Sequence, residues 1–305
     1  MRRLICAALA AAVLAGTGLA QDSCRVFVWD NDAGEPAQRA PAVCMDSISN
    51  CYYVWADYRL LAWDIFGQRF DAGTVTYDSC NFLVNSSRGD GRMRRYPDVA
   101  CDTAGWFVAC WEEYSSSTGY NISCRRFDPQ GNPLALQSLV RQTTTSIPLG
   151  FPKIARDKHS GDYVIVWQEL RSGAACVYAR AYNRNGTAKT DTFRVNDATA
   201  NAWHPDVAMN DTLVVIAWGD SRSGNWDIYA RNYYITTGSM SARGASYLVN
   251  GDGGVRRQDY PSVSMPCSTA TPNNNRYTVI AWEDARNFTG DISSDIYCRQ
   301  YAADG

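Results

Sequence analysis

Histidine is nearly absent from this sequence. Two occur in 305 residues, His159 and His204. A histidine-rich metal site and a Ser-His-Asp triad therefore have almost no support. No two cysteines have the Cys-x-x-Cys spacing, which removes the common zinc frameworks. Neither sign of charge dominates: 29 Lys and Arg against 31 Asp and Glu leave a net charge of -2. That balance excludes wholesale binding to nucleic acid or to an acidic membrane. Past residue 20 no apolar run is long enough to span a membrane. No stretch shows a 3.6-residue period, which excludes a helical solenoid. The Asp-box of sialidases, S-x-D-x-G-x-T-W, is missing too. The expectation is no cofactor, no metal, no nucleic-acid partner and no membrane span.

Residues 1–20 read as an export leader. Arg2-Arg3 supply the positive start, Leu4 to Val13 the short apolar stretch, and Gly18-Leu19-Ala20 the small residues before a cut at Gln21. The mature chain, 21–305, is then a secreted, cell-surface or periplasmic protein. Eleven cysteines include Cys6 inside the leader, and the remaining ten are an even number in an exported chain. Hairpin spacing suggests the pairs Cys44–Cys51 and Cys110–Cys124.

Aromatics are abundant, with 10 Trp and 18 Tyr, and they sit in a repeat. A Pro-x-Val/Ile element begins near 41, 97, 152, 205 and 261, a period of about 55 residues. An apolar run ending in Trp-x-Asp/Glu follows, at Trp55/Asp57, Trp111/Glu113, Trp167/Glu169, Trp218/Asp220 and Trp282/Asp284. Arg59, Arg171, Arg222 and Arg286 stand two residues further on, and Ser115 breaks the pattern. A third element resembles Asp-Ile-Tyr, as at Asp227-Ile228-Tyr229, and a fourth reads Phe82-Leu83-Val84-Asn85 or Tyr247-Leu248-Val249-Asn250.

Four strand-length elements with turn residues between them describe one sheet per repeat. The second element is continuously apolar, as in Tyr163-Val164-Ile165-Val166-Trp167. A sheet with one wet face alternates; a continuous run means burial on both faces. That is the environment of a blade between two neighbouring blades. The fold class is therefore all-β, a β-propeller of five four-stranded blades. The segment 24–30 has the spacing of an orphan fourth strand, and the fifth repeat stops before its own. The N-terminal strand is thus expected to close the last blade, with Cys24 beside Cys298.

The run Trp218-Gly219-Asp220-Ser221-Arg222-Ser223-Gly224-Asn225-Trp226-Asp227-Ile228-Tyr229 resembles the repeat of the TolB-type, WD40-like bacterial β-propellers. The resemblance extends over all five repeats, though these are longer than that family's. It implies an extracellular relative serving as a binding platform rather than an enzyme.

A catalytic residue is needed once, whereas a structural one recurs in every blade. The Trp, Asp/Glu and Arg of the repeat are on that ground structural. His204 occupies the slot before the repeat proline that Tyr96, Phe151 and Tyr260 fill elsewhere, so it reads as a packing residue. His159 lies in a turn and reads as solvated. The non-repeating acids are Asp30, Asp32, Glu35, Asp90, Asp197, Asp252 and Asp259. They are the reservoir for the carboxylate pair of a glycosidase, which needs two unlike acids about 5–10 Å apart. Arg39, Arg88, Arg92, Arg94, Arg95, Arg256 and Arg257 cluster in loops that share one face, and Trp63 and Trp226 end loops on it. Together they read as a basic and aromatic patch for a protein or glycan ligand. The reading is a monomeric, secreted, non-catalytic scaffold. The alternatives are a glycosidase-like propeller and a fragment of a larger cell-surface repeat protein.

Overall fold

The computed structural model describes residues 37–302 apart from 60, 79, 237, 252–255, 267–276 and 288–292. The leader, the expected closing strand 24–30, Cys24, Asp30, Asp32, Glu35 and Asp252 lie outside the described residues.

Five antiparallel sheets follow one another along the chain, and together they form a five-bladed β-propeller. The innermost strands are Gln38–Met45, Met93–Cys101, Leu149–Arg156, Ala202–Met209 and Gln258–Ser264. Each carries the repeat proline. Each pairs with a second strand that carries the repeat Trp-x-Asp/Glu at or within two residues of its end: Cys51–Asp57, Phe107–Ser115, Tyr163–Arg171, Leu213–Asp220 and Tyr277–Asp284. A third strand follows in every blade. Short outer strands pair with the third in blades one to four: Thr76–Tyr77 and Phe82–Leu83 in blade one, Ser138–Gln142 in blade two, Phe193–Arg194 in blade three, and Met240–Ala242 and Tyr247–Leu248 in blade four, so that blades one and four have five strands instead of the expected four. Blade five has three strands among the described residues.

The continuous apolar second strands are buried as their pattern demands. Val164, Ile165, Val166 and Trp167 have no exposed surface. The core is divided into layers between blades. Tyr52 and Val54 of blade one pack with Phe107 and Trp111 of blade two. Ile122 of blade two packs with Ile165 and Trp167 of blade three. Val166 and Val177 meet Ile216 and Trp218, and Ala217 and Ile228 meet Ile280 and Trp282. Each buried Trp from blade two onward is thus a wedge against the preceding blade, worth about 3–5 kcal/mol against alanine. The outward sides of the first and last sheets are different: Val43, Met45 and Ile296 are exposed.

The repeat polar residues close the blades. Trp55, Trp218 and Trp282 donate their indole N–H to Asp57, Asp220 and Asp284, at 3.0, 2.8 and 2.9 Å. Arg59, Arg222 and Arg286 pair with the same carboxylates and lie over the aromatic ring of the third strand. Where the acid is Glu, one methylene longer, the bond to tryptophan is lost. Trp111 and Trp167 Nε1 have no partner. Glu113 reaches Arg92 and Arg94 instead, and Glu169 reaches Arg141 and Arg171.

Candidate active site

Every innermost strand has a bulge at one place, between Arg39 and Ala42, Arg95 and Asp98, Gly150 and Lys153, Trp203 and Asp206, and Asp259 and Ser262. The residue before the proline takes a positive φ: Ala40 51°, Tyr96 49°, Phe151 51°, His204 48° and Tyr260 52°. None is glycine, so each bulge stores strain of order 1–3 kcal/mol. The proline that follows has no N–H to leave unpaired where the ladder breaks. A bulge re-aims a side chain, and here four rings are turned into one belt. Tyr96 stacks on Phe151 at 4.4 Å, Phe151 meets His204 edge-on at 5.4 Å, and His204 stacks on Tyr260 at 4.1 Å. In blade one Ala40 contributes only a methyl, so the belt is not continued there.

Two carboxylates flank this belt in different surroundings. Glu112, the middle residue of Trp111-Glu112-Glu113, is buried. It pairs with Arg95 at 2.7 Å and accepts the backbone N–H of Phe151. Gly150 leaves the space that its carboxylate fills. Burial pushes the Glu112 carboxyl above the usual glutamate range, against the opposing pull of Arg95. Asp259 is also buried. It shares a hydrogen bond with His204 Nδ1 at 2.9 Å, and accepts one from Arg257 at 2.7 Å and one from the Tyr260 N–H at 2.8 Å. Burial raises its pKa, but the bonds to His204 and Arg257 outweigh it and hold the carboxyl below the usual aspartate range. One acid is biased toward its protonated form and the other toward its charged form, the division of roles that acid–base chemistry needs.

Between blades two, three and four lies a cavity of about 270 Å³, lined by Arg95, Tyr96, Glu112, Phe151, Gln168 and Trp203 among others. Trp203 is 38% exposed and meets Trp226 at 5.7 Å, giving an apolar platform beside the cavity. A smaller cavity of about 120 Å³, lined by Trp106, Arg126 and Arg156 among others, has no carboxylate in its wall. Deeper along the innermost strands, Asp98, Lys153 and Asp206 occupy the position after the repeat proline in consecutive blades. Asp98 accepts the Ile154 N–H at 2.9 Å, and Asp206 the Val263 N–H at 2.7 Å. Burial pushes Asp98 up to about 6 and raises Asp206, while Asp98 holds Lys153 in its charged form.

The basic patch expected from the sequence is largely neutralised. Arg94 is fully buried, with Asp64 and Asp90 at 2.7 Å and Glu113 at 2.8 Å. It cannot present charge to a ligand, and that part of the expectation is corrected. Arg92 pairs with Glu113, Arg95 with Glu112 and Arg257 with Asp259. Arg39 lies over Trp63, which packs on Tyr58. Arg88 is exposed and Arg256 half-buried. Of the remaining non-repeating acids, Asp90 is engaged by Arg94, and Asp197 by Arg222 and Ser246. His204 packs as its slot predicts, and it also holds Asp259, a partner the sequence did not reveal. Glu112 was missed. The available signal was that the middle residue of Trp-x-Asp/Glu varies, as Ala56, Glu112, Gln168, Gly219 and Glu283, inside a repeating frame.

The eight described cysteines are free thiols. Cys110 and Cys124 stand directly opposite in adjacent strands. Cys44 does not stand opposite Cys51: the register sets Met45 against Cys51 and Cys44 against Tyr52, so the two side chains point to opposite sides of the sheet. Cys44 instead hydrogen-bonds Cys101 of blade two.

No protein-family model and no curated protein sequence matches the chain. Solved structures do. An α-L-arabinofuranosidase of glycoside hydrolase family 93 from Fusarium graminearum, in complex with arabinobiose, matches with a TM-score of 0.51 at 10% identity, over 84% of this chain and 79% of that one. A protein of unknown function from Dyadobacter fermentans matches with a TM-score of 0.53 at 10% identity, over 88% and 79%. A family-43 endo-arabinanase from Bacillus licheniformis gives 0.44 at 9% identity, over 86% and 92%. At such identity these likenesses show the fold. The resemblance to TolB-type repeat proteins finds no support among them. The reading as a non-catalytic scaffold is corrected as well. It rested on the lack of a unique constellation of acids. The structural neighbours include a glycoside hydrolase, which favours the carbohydrate-active alternative, and Glu112 and Asp259 are two buried acids in unlike surroundings.

Proposed function

We propose that this protein is a carbohydrate-active enzyme of the glycoside-hydrolase type, exported from the cell, with its site at the mouth of the propeller channel. The observation that carries the reading is the pair Glu112 and Asp259, two buried carboxylates of opposite protonation bias on either side of the aromatic belt. Glu112 is the proton donor to the leaving oxygen. Asp259, kept ionised by His204 and Arg257, is the charged partner that acts as base or nucleophile. Trp203 and Phe151 offer ring faces on which a sugar stacks, and Arg95 and Gln168 offer donors for its hydroxyls.

The family-93 neighbour makes arabinose-containing substrates the first class to test. The experiment is a hydrolysis screen of aryl glycosides and plant polysaccharides with the mature protein, beside Glu112→Gln and Asp259→Asn. The expected result is turnover that each substitution lowers by at least about 10²-fold, as loss of an acid or base does. Product stereochemistry then reports the carboxylate separation, since retaining pairs lie about 5–5.5 Å apart and inverting pairs about 6.5–9.5 Å. Turnover unaffected by both substitutions would place the chemistry elsewhere. No turnover on any glycoside would reject the enzyme reading.

A further inference from the structure

The turn after each innermost strand is built on an Asp or Asn whose Oδ1 accepts backbone N–H groups. Asp46, Asp102, Asp157 and Asn210 do this in blades one to four. What differs is the second carboxylate oxygen. Asp46 Oδ2 accepts from Asn50 at 2.9 Å. Asp102 Oδ2 receives the guanidinium of Arg156, from the next blade, at 2.8 Å. Asp157 is 1% exposed, yet its Oδ2 has no hydrogen-bond partner. The residue that corresponds to Arg156 one blade further on is Met209, so no cation arrives by that route.

A buried carboxylate oxygen without a donor costs of order 1–3 kcal/mol or more, and a bound ion is one standard resolution. The neighbours of Asp157 suit an ion. His159 extends from the same turn and Asp211 from the equivalent turn of blade four, with His159 Nδ1 and Asp211 Oδ1 2.9 Å apart. One donor atom from each of Asp157, His159 and Asp211 lies within 4.8 Å of the other two. Both outer ligands are exposed, so an ion can enter. Lys158, the nearest lysine in sequence, points elsewhere and donates to the carbonyls of Met45 and Cys101.

We propose that Asp157, His159 and Asp211 form a divalent-cation site that clips blade three to blade four, at the positions where Arg156 clips blade three to blade two. One imidazole with two carboxylates favours a first-row ion such as Zn²⁺ over Ca²⁺, which prefers oxygen donors alone. Three protein ligands leave a position for water.

The test uses the full mature protein, stripped with chelator and titrated with ZnCl₂ alone by calorimetry, beside His159→Ala and Asp211→Asn. Both changes are at exposed side chains, so the variants should fold. The expected result is one equivalent bound in the micromolar range or tighter, weakened at least tenfold by each substitution, with a zinc-dependent rise in melting temperature that both variants lose. Cobalt loading separates this site from the cysteines, because Asp/His ligation lacks thiolate charge-transfer bands. Absence of binding would overturn the proposal and leave water on Asp157 Oδ2. Binding that survives both substitutions, or that shows thiolate bands, would overturn it too.

Discussion

Asp259 occupies the space that a side chain at Gly219 would take. An ideal Cβ on Gly219 would lie 2.7 Å from Asp259 Oδ1. In the two preceding blades the position of Gly219 is held by Glu112 and Gln168. Their side chains accept the N–H of the next blade's strained aromatic, Phe151 or His204. In blade four the glycine leaves that place empty, and Asp259 bonds the Tyr260 N–H itself.

Gly219→Ala should therefore act on the site through packing. The new methyl displaces the Asp259 carboxylate from His204. Overpacking costs about 1–3 kcal/mol, and loss of the aligned acid should lower hydrolysis at least tenfold. Thermal melts and kcat on the best substrate from the screen check both. A variant with native turnover would mean that the Gly219–Asp259 exchange has no part in the chemistry.

Arg94 tests the opposite expectation, that a loop arginine is a free ligand contact. Its guanidinium is buried among Asp64, Asp90 and Glu113. Arg94→Ala leaves Asp64 without its cation and Asp90 and Glu113 with Arg92 alone, and should destabilise by about 3–5 kcal/mol. Arg88→Ala, at an exposed position, should stay within about 0.5 kcal/mol. Urea unfolding of the two variants compares them directly.

Asp98 gives a pH signature with a definite sign. Its folded pKa, about 6, lies above the ordinary aspartate value of 3.8 because of burial. Between those values the folded state holds a proton that the unfolded chain has released, so this group lowers stability as pH rises from 4 to 6. The change is at most about 3 kcal/mol for a shift of this size, less where Lys153 offsets it. Asp98→Asn removes the titration. Its melting temperature relative to wild type should be more favourable at pH 8 than at pH 4, and a difference that is flat with pH would contradict the assignment.

Cys44 and Cys101 lie on adjacent innermost strands and share a thiol hydrogen bond. Mild oxidation followed by peptide mapping should link them to each other, and Cys110 to Cys124 across their strand pair. A Cys44–Cys51 peptide would be inconsistent with the register of blade one.

The repeat made the architecture readable. A blade between two neighbours buries both faces of its sheet, and the apolar second strand, the proline bulge and the Trp-x-Asp/Glu end are written five times at a nearly constant spacing. The number of blades, the place of each buried tryptophan and the pairing of Arg222 with Asp220 follow from local sequence and need little more. The candidate site could not be read in that way, because its residues come from different blades. Asp259 stood out as an acid outside the repeat, but its ionised state depends on His204, which approaches from the preceding blade. Glu112 looked like one more acid at a strand end. Its raised pKa depends on burial beneath Phe151 and on the room left by Gly150, both one blade onward. Arg94 looked exposed because loop arginines usually are, and only the convergence of three acids buried it. Periodicity records the contacts that every blade must make, whereas the protonation of a group is set by neighbours that meet once, when the sheets pack side by side.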